Sequence, residues 1–178
     1  MMLLMLLLAA LAPIAVPAGP YVMVNGSLGP GEWRSCVRIP LDASTELWAQ
    51  RDARSLFIAV VSRDTSHTGL DLHVRCRDGL HLLHVSSALG EGVFRGGTWS
   101  ALEWGHNRWW TASPVCVIVT DGAQHVEPPE AFEFQLERSR LGRETALYVH
   151  LKRPERRFPA GASPDDPERW VRLTLAGD

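Results

Sequence analysis

Apolar and polar residues alternate along a series of short runs: "STELWAQR" (44–51), "SLFIAVVSRD" (55–64), "LDLHVRCR" (70–77), "LHLLHVSS" (80–87), "VCVIVT" (115–120), "AFEFQLER" (131–138), "TALYVHLK" (145–152) and "WVRLTL" (170–175). β-Branched and aromatic residues fill these runs, and turn residues separate most of them, which predicts strands. No stretch keeps a helical period for three turns. The pattern therefore predicts an all-β fold, an antiparallel β-sandwich of the jelly-roll type with long connecting loops.

Two strand pairs carry enough pattern to assign faces. Asp78-Gly79 is a strong two-residue turn signal, which sets Arg77 opposite Leu80, Cys76 opposite His81, Val74 opposite Leu83 and His73 opposite His84. Leu72, Val74, Cys76, Leu83 and Val85 then share the core face, with Asp71, His73, Arg75, His84 and Ser86 on the other. A short loop at 52–55 sets Leu47, Ala49, Ile58 and Val60 toward the core. The opposite face of that pair carries Glu46, Trp48, Gln50, Phe57, Ala59 and Val61, and is too apolar for open solvent. Either another segment covers it or it is a binding groove, and the small Ala59 leaves room above Trp48.

"TWSALEWGHNRWW" (98–110) holds four of the seven tryptophans of the chain beside His106, Asn107 and Arg108. Lying outside the clearest strands, it is expected to be a long connection free to fold across the Trp48 face. It would be a lid if it lies flat there, or half of a clamp if it leaves a ring face open. Trp109 and Trp110, if extended, point to opposite faces.

The first 18 residues, "MMLLMLLLAALAPIAVPA", contain no charged residue and end with Val16 and Ala18 as small residues at a cleavage position. We read 1–18 as a secretory signal peptide and 19–178 as one domain. Pro13 and Pro17 interrupt an apolar run already short for a bilayer span, so no stable membrane insertion is expected after cleavage. Secretion or a periplasmic location follows. In that setting Cys36, Cys76 and Cys116 could supply one disulfide, or three small buried hydrophobes. With 178 residues, of which 46% are hydrophobic and 21% charged, the chain can bury one substantial core. A net charge of −2 gives no field to draw nucleic acid.

"VNGSLGPGEW" (24–33), "TELWAQRDARSLFIAVVSRD" (45–64) and "AFEFQLERSRLG" (131–142) resemble, in order, three motifs of the family 9 carbohydrate-binding-module-like domains, a group with DOMON-like relatives. Asn25 stands where that family usually has Asp, and Glu137 where it usually has Pro. The resemblance implies a β-sandwich that binds sugar on tryptophan rings, with structural calcium in some members, or haem in the DOMON-like branch. Haem would need Met23, the one methionine outside the leader, in an apolar strand where packing suits it better. Calcium would fall to Asp165, Asp166 and Glu168. Neither cofactor is expected, and no metal site is assigned.

A sugar site needs aromatic faces for the C–H side of a pyranose and hydrogen-bonding groups for its hydroxyls. Trp48, Phe57, Trp99, Trp104, Trp109 and Trp110 supply the first, and Glu46, Gln50, His106, Asn107 and Arg108 the second. Trp33 and Trp170 are read as structural. No G-x-S-x-G, H-E-x-x-H or phosphate-binding glycine loop is present, so no enzyme is expected unless two carboxylates meet in a tryptophan-lined cleft. The expectation is an exported, non-catalytic glycan-binding module. An envelope structural or protein-interaction module and a haem-binding electron-transfer domain are the alternatives.

Overall fold

The computed structural model describes residues 12–64, 67–105, 109–113, 116–120, 123–127 and 129–175, with backbone alone for 116–120 and 123–127. Its strands are β1 (Ile14–Ala15), β2 (Val37–Pro40), β3 (Thr45–Arg51), β4 (Ser55–Ser62), β5 (Gly69–Cys76), β6 (Gly79–Val85), β7 (Leu89–Arg95) and β8 (Thr98–Trp99). They continue with β9 (Glu103–Trp104), β10 (Trp110–Ala112), β11 (Cys116–Thr120), β12 (Ala123–Glu127), β13 (Phe132–Glu137), β14 (Glu144–Lys152), β15 (Arg156–Phe158) and β16 (Val171–Thr174). A first sheet runs β1-β16-β14-β5-β6-β7-β8, with β15 on β14 and β9 on β7; a second runs β10-β13-β4-β3-β2. Strands β11 and β12 form a separate ribbon. Among the described residues the strands pair antiparallel except β1 with β16, and an isolated parallel bridge joins Ala18 to Arg51, so the chain is an all-β sandwich, as its alternation predicts.

The core forms where the two inner faces meet. Leu70, Leu72 and Val74 of β5 face Leu151, Val149 and Leu147 of β14, and pack against Leu47, Ala49, Ile58, Val60, Phe134 and Leu136 of the second sheet. Each of these is essentially inaccessible to water, a burial worth about 1.5–3 kcal/mol for each large side chain. The β3/β4 register is as expected, with Leu47 opposite Val60, Ala49 opposite Ile58 and Trp48 opposite Ala59.

The β5/β6 register differs from expectation. Cys76 pairs with Gly79, Val74 with His81, Leu72 with Leu83 and Asp71 with His84, so the turn is centred on Arg77-Asp78. A turn centred on Asp78-Gly79 would need positive φ at Asp78, and the positive φ (+136°) falls at Gly79 alone. The shift moves both strands by one residue, so the faces are kept while the partners change. His73 accordingly lies opposite Leu82, away from His84.

The apolar outer face of the second sheet is covered, and by the segment 20–36. Val22 and Trp33 pack on Phe57 and Ala59, with Leu28, Cys36 and Trp48 around them. Gln50 Nε2 donates to the carbonyls of Pro20 and Glu32, both at 2.8 Å. Fully buried Glu133 accepts from the N–H groups of Asn25 and Gly26 and from Trp33 Nε1 at 2.9–3.0 Å. Burial pushes the Glu133 carboxyl above the ordinary range in spite of these three donors. Trp33 is structural, as expected.

The end of the expected leader lies against the sandwich. Ile14 and Ala15 run parallel to β16, Val16 is buried, and Arg51 exchanges backbone hydrogen bonds with Pro17 and Gly19. Among the described residues no helix is long and apolar enough to cross a membrane. Cys36 and Cys76 are free thiols, one at the end of the segment 20–36 and the other in the central core. The Cys116 side chain lies outside the described residues.

Candidate functional site

The tryptophans do not gather into one groove. Trp48 sits on the outer face of the second sheet, beneath Arg38, whose guanidinium lies 4.0 Å from the ring centre, and its indole donates to Glu46 at 2.7 Å. Gln50 and Phe57 beside it are fully buried. The described parts of the segment 98–110 lie elsewhere, because β8 and β9 extend the edge of the first sheet and β10 lies at the edge of the second. His106, Asn107 and Arg108 lie outside the described residues. Asp165 and Glu168 are engaged by Ser163 and Arg75 respectively.

Trp104 is the exposed ring. It pairs with Gly90 across β9 and β7, on the outer face of the first sheet. A Cβ at Gly90 would lie 3.1 Å from Cε3 of the indole, so the bare backbone there is what lets the ring settle on the sheet. The ring nevertheless remains 61% exposed. It meets the His84 ring in a T-shaped contact, with ring centres 5.5 Å apart.

From His84 a chain of polar contacts crosses β5 to β14, built from positions that alternate with core leucines and valines. His84 Nδ1 lies 2.6 Å from Asp71 Oδ1, and Lys152 Nζ 2.6 Å from Asp71 Oδ2. Lys152 also donates to His150 Nδ1 at 2.9 Å; since an ammonium has no acceptor, the His150 proton must sit on Nε2, facing Glu155 at 2.8 Å. Burial alone would raise the Asp71 carboxyl, but the hydrogen bonds from His84 and Lys152 and the charge of Lys152 hold it below the ordinary range. Burial and Lys152 lower His150. A shallow recess of about 430 Å³ opens over this array, lined by His84, Ser86, His150, Lys152 and Glu155.

Next along the same face, His73 is enclosed by Trp99, Tyr148 and Trp170 at ring-centre distances of 5.0, 5.2 and 6.0 Å. Its Nδ1 has no partner, and burial pushes the ring down to about 4. Trp99 is thus a wall around a buried imidazole, and Trp170 is structural, as expected.

Trp109 and Trp110 do not diverge. Trp109 precedes β10, where strand alternation does not yet apply, and both indoles turn inward and donate to Glu91, at 3.1 and 3.2 Å. Glu91 also receives His81 Nδ1 at 2.7 Å, while His81 Nε2 lies 3.2 Å from Asp78 and Arg140 binds Asp78 at 2.8 Å. Burial would raise the Glu91 carboxyl, but the bonds from His81, Trp110 and Trp109 hold it low. A recess of about 510 Å³ is lined by Asp78, His81, Glu91, Glu103, Trp109 and Arg140, so carboxylates do meet beside a tryptophan. Glu91, committed to three donors, is an anchor in this arrangement.

A recess of about 810 Å³ lies elsewhere, bordered by Arg54, Arg77, Arg138 and Arg143. Arg77 and Arg138 donate there to the carbonyls of Leu141, Asp52 and Leu175, clamping turns together.

Sequence reasoning missed Asp71, His84, His150 and Lys152 as a group. Their signal was present, since each is a polar position alternating with a core residue, but only the strand order brings β14 beside β5. Glu91 was missed because the glycines on either side of it conceal β7. Comparison with protein-family models, with curated proteins and with solved structures finds no match to this chain.

Proposed function

We propose that this protein is an exported, non-catalytic carbohydrate-binding module in which Trp104 is the stacking platform. The observation that carries the reading is a single indole seated on Gly90, largely open to solvent, in contact with His84, which itself lines a recess of charged and hydrogen-bonding groups. The C–H face of a pyranose stacks on such a ring, and its hydroxyls reach the donors and acceptors beside it. His84 joins ring and array: its imidazole meets the indole and its Nδ1 meets Asp71. Lys152 and Glu155 offer the hydroxyls a charged donor and a charged acceptor, and the Asp71 contacts hold the array in place.

The family 9 carbohydrate-binding-module-like resemblance of the sequence points the same way, but this site differs from the one centred on Trp48. The alternative of an envelope protein partner relied on the apolar Trp48 face, which the chain's own segment 20–36 occupies.

A glycan array and pull-down on insoluble polysaccharides, with wild type and Trp104→Ala, test the reading. Binding is expected for wild type, with a loss of about 2 kcal/mol or more, roughly 30-fold in Kd, for the variant. Trp48→Ala, on the other side of the sandwich, should bind as wild type does. A folded wild type that binds no glycan, or a Trp104→Ala variant that binds equally well, overturns it.

A further inference from the structure

We propose that Cys76, Asp78 and His81 form a zinc site, with Glu91 as the carboxylate that orients the histidine. The site lies on the inner side of the first sheet, away from Trp104, and does not depend on glycan binding. The three residues wrap one tight turn. Cys76 closes the turn against Gly79, His81 pairs with Val74, and both therefore project to the same inter-sheet side, with Asp78 in the turn between them. One donor atom from each residue lies within 4.8 Å of the other two. Zinc bonds of about 2.0–2.3 Å place tetrahedral donors roughly 3.3–3.7 Å apart, a spacing that Asp78 Oδ1 and His81 Nε2, 3.2 Å apart, already approach.

The contacts around His81 fix how its ring is turned. Glu91 already accepts from both indoles, so as a carboxylate it takes a further proton donor from His81, and Nδ1 carries the hydrogen. Nε2 then turns its lone pair toward Asp78 Oδ1, 3.2 Å away. Nε2 and Asp78 Oδ1 thus lie side by side, with a Cys76 donor within 4.8 Å of both. A carboxylate behind a histidine whose other nitrogen faces outward is the usual supporting arrangement of a metal-bound imidazole. Arg140 occupies Asp78 Oδ2 and leaves Oδ1 for the ion. One thiolate, one imidazole and one carboxylate suit zinc, and the adjoining recess leaves the fourth position open to water or a ligand.

Titration of the metal-free protein with Zn²⁺, and with Co²⁺ as a coloured substitute, decides the matter. One equivalent should bind, and Co²⁺ should give a near-ultraviolet thiolate charge-transfer band. Cys36→Ser with Cys116→Ser should keep that band, because Cys76 remains. His81→Ala should lower Zn²⁺ affinity about 100-fold or more, and Glu91→Gln by roughly 10- to 100-fold. No thiolate band in wild type, its loss in the double serine variant, or full affinity in a folded His81→Ala overturns the proposal. The two cobalt spectra decide even if the His81 variant does not fold.

Discussion

Glu133 shows how one residue can hold an entire segment. Its carboxylate is fully buried and takes three hydrogen bonds from the turn that begins at Asn25 and from the indole of Trp33. Removing it leaves those donors facing an apolar interior, which costs more than the bonds themselves contribute. Glu133→Ala is expected to lower stability by about 2–4 kcal/mol, measured by urea unfolding, and to expose the tryptophan fluorescence of Trp33. The central glutamate was visible in "AFEFQLER", but not what it holds. Its partners lie about a hundred positions earlier in the chain.

At the scale of elements, the N-terminal strand makes a sharper prediction. β1 pairs with β16, Val16 is buried, and Arg51 bonds both Pro17 and Gly19 through its backbone. A chain that begins at Gly19 loses that strand and uncovers the edge of β16. Compared with one that begins at Pro13, it should be less stable by about 2 kcal/mol, seen as a lower Tm in calorimetry. Equal melting of the two would mean that the strand adds no stability. The β5/β6 hairpin shows the limits of turn chemistry, since Asp-Gly announced a two-residue turn and its faces but placed the register one residue off on each strand.

For the molecule as a whole, buried His73 sets the acid limit. Its ordinary value is 6.5, and in the folded protein burial pushes it down to about 4, with His150 and Lys152 adding to the shift and Asp71 opposing it. Between these values the unfolded chain binds a proton that the folded chain refuses, so the stability linked to His73 is complete above about 6.5, falls as pH drops toward 4, and levels off below. The loss amounts to about 3 kcal/mol across the window. Tm measured from pH 7 to pH 4 should fall in wild type and fall less steeply in a folded His73→Gln.

The sequence by itself determined the all-β class, the core faces of β3, β4, β5 and β6, the Trp48–Ala59 pairing and the structural roles of Trp33 and Trp170. These follow from period-two alternation and local turn chemistry, which neighbouring residues encode. Only the tertiary structure decided which ring stays open. Trp48, Trp109 and Trp110 have the same side-chain chemistry as Trp104, but they lie under Arg38 or turn inward on Glu91, while Trp104 rests on Gly90. Exposure depends on what the strand order stacks above each residue, and that order joins positions far apart in the chain. The same holds for the Asp71–His84–Lys152 array and for the Cys76–Asp78–His81 turn with Glu91 behind it.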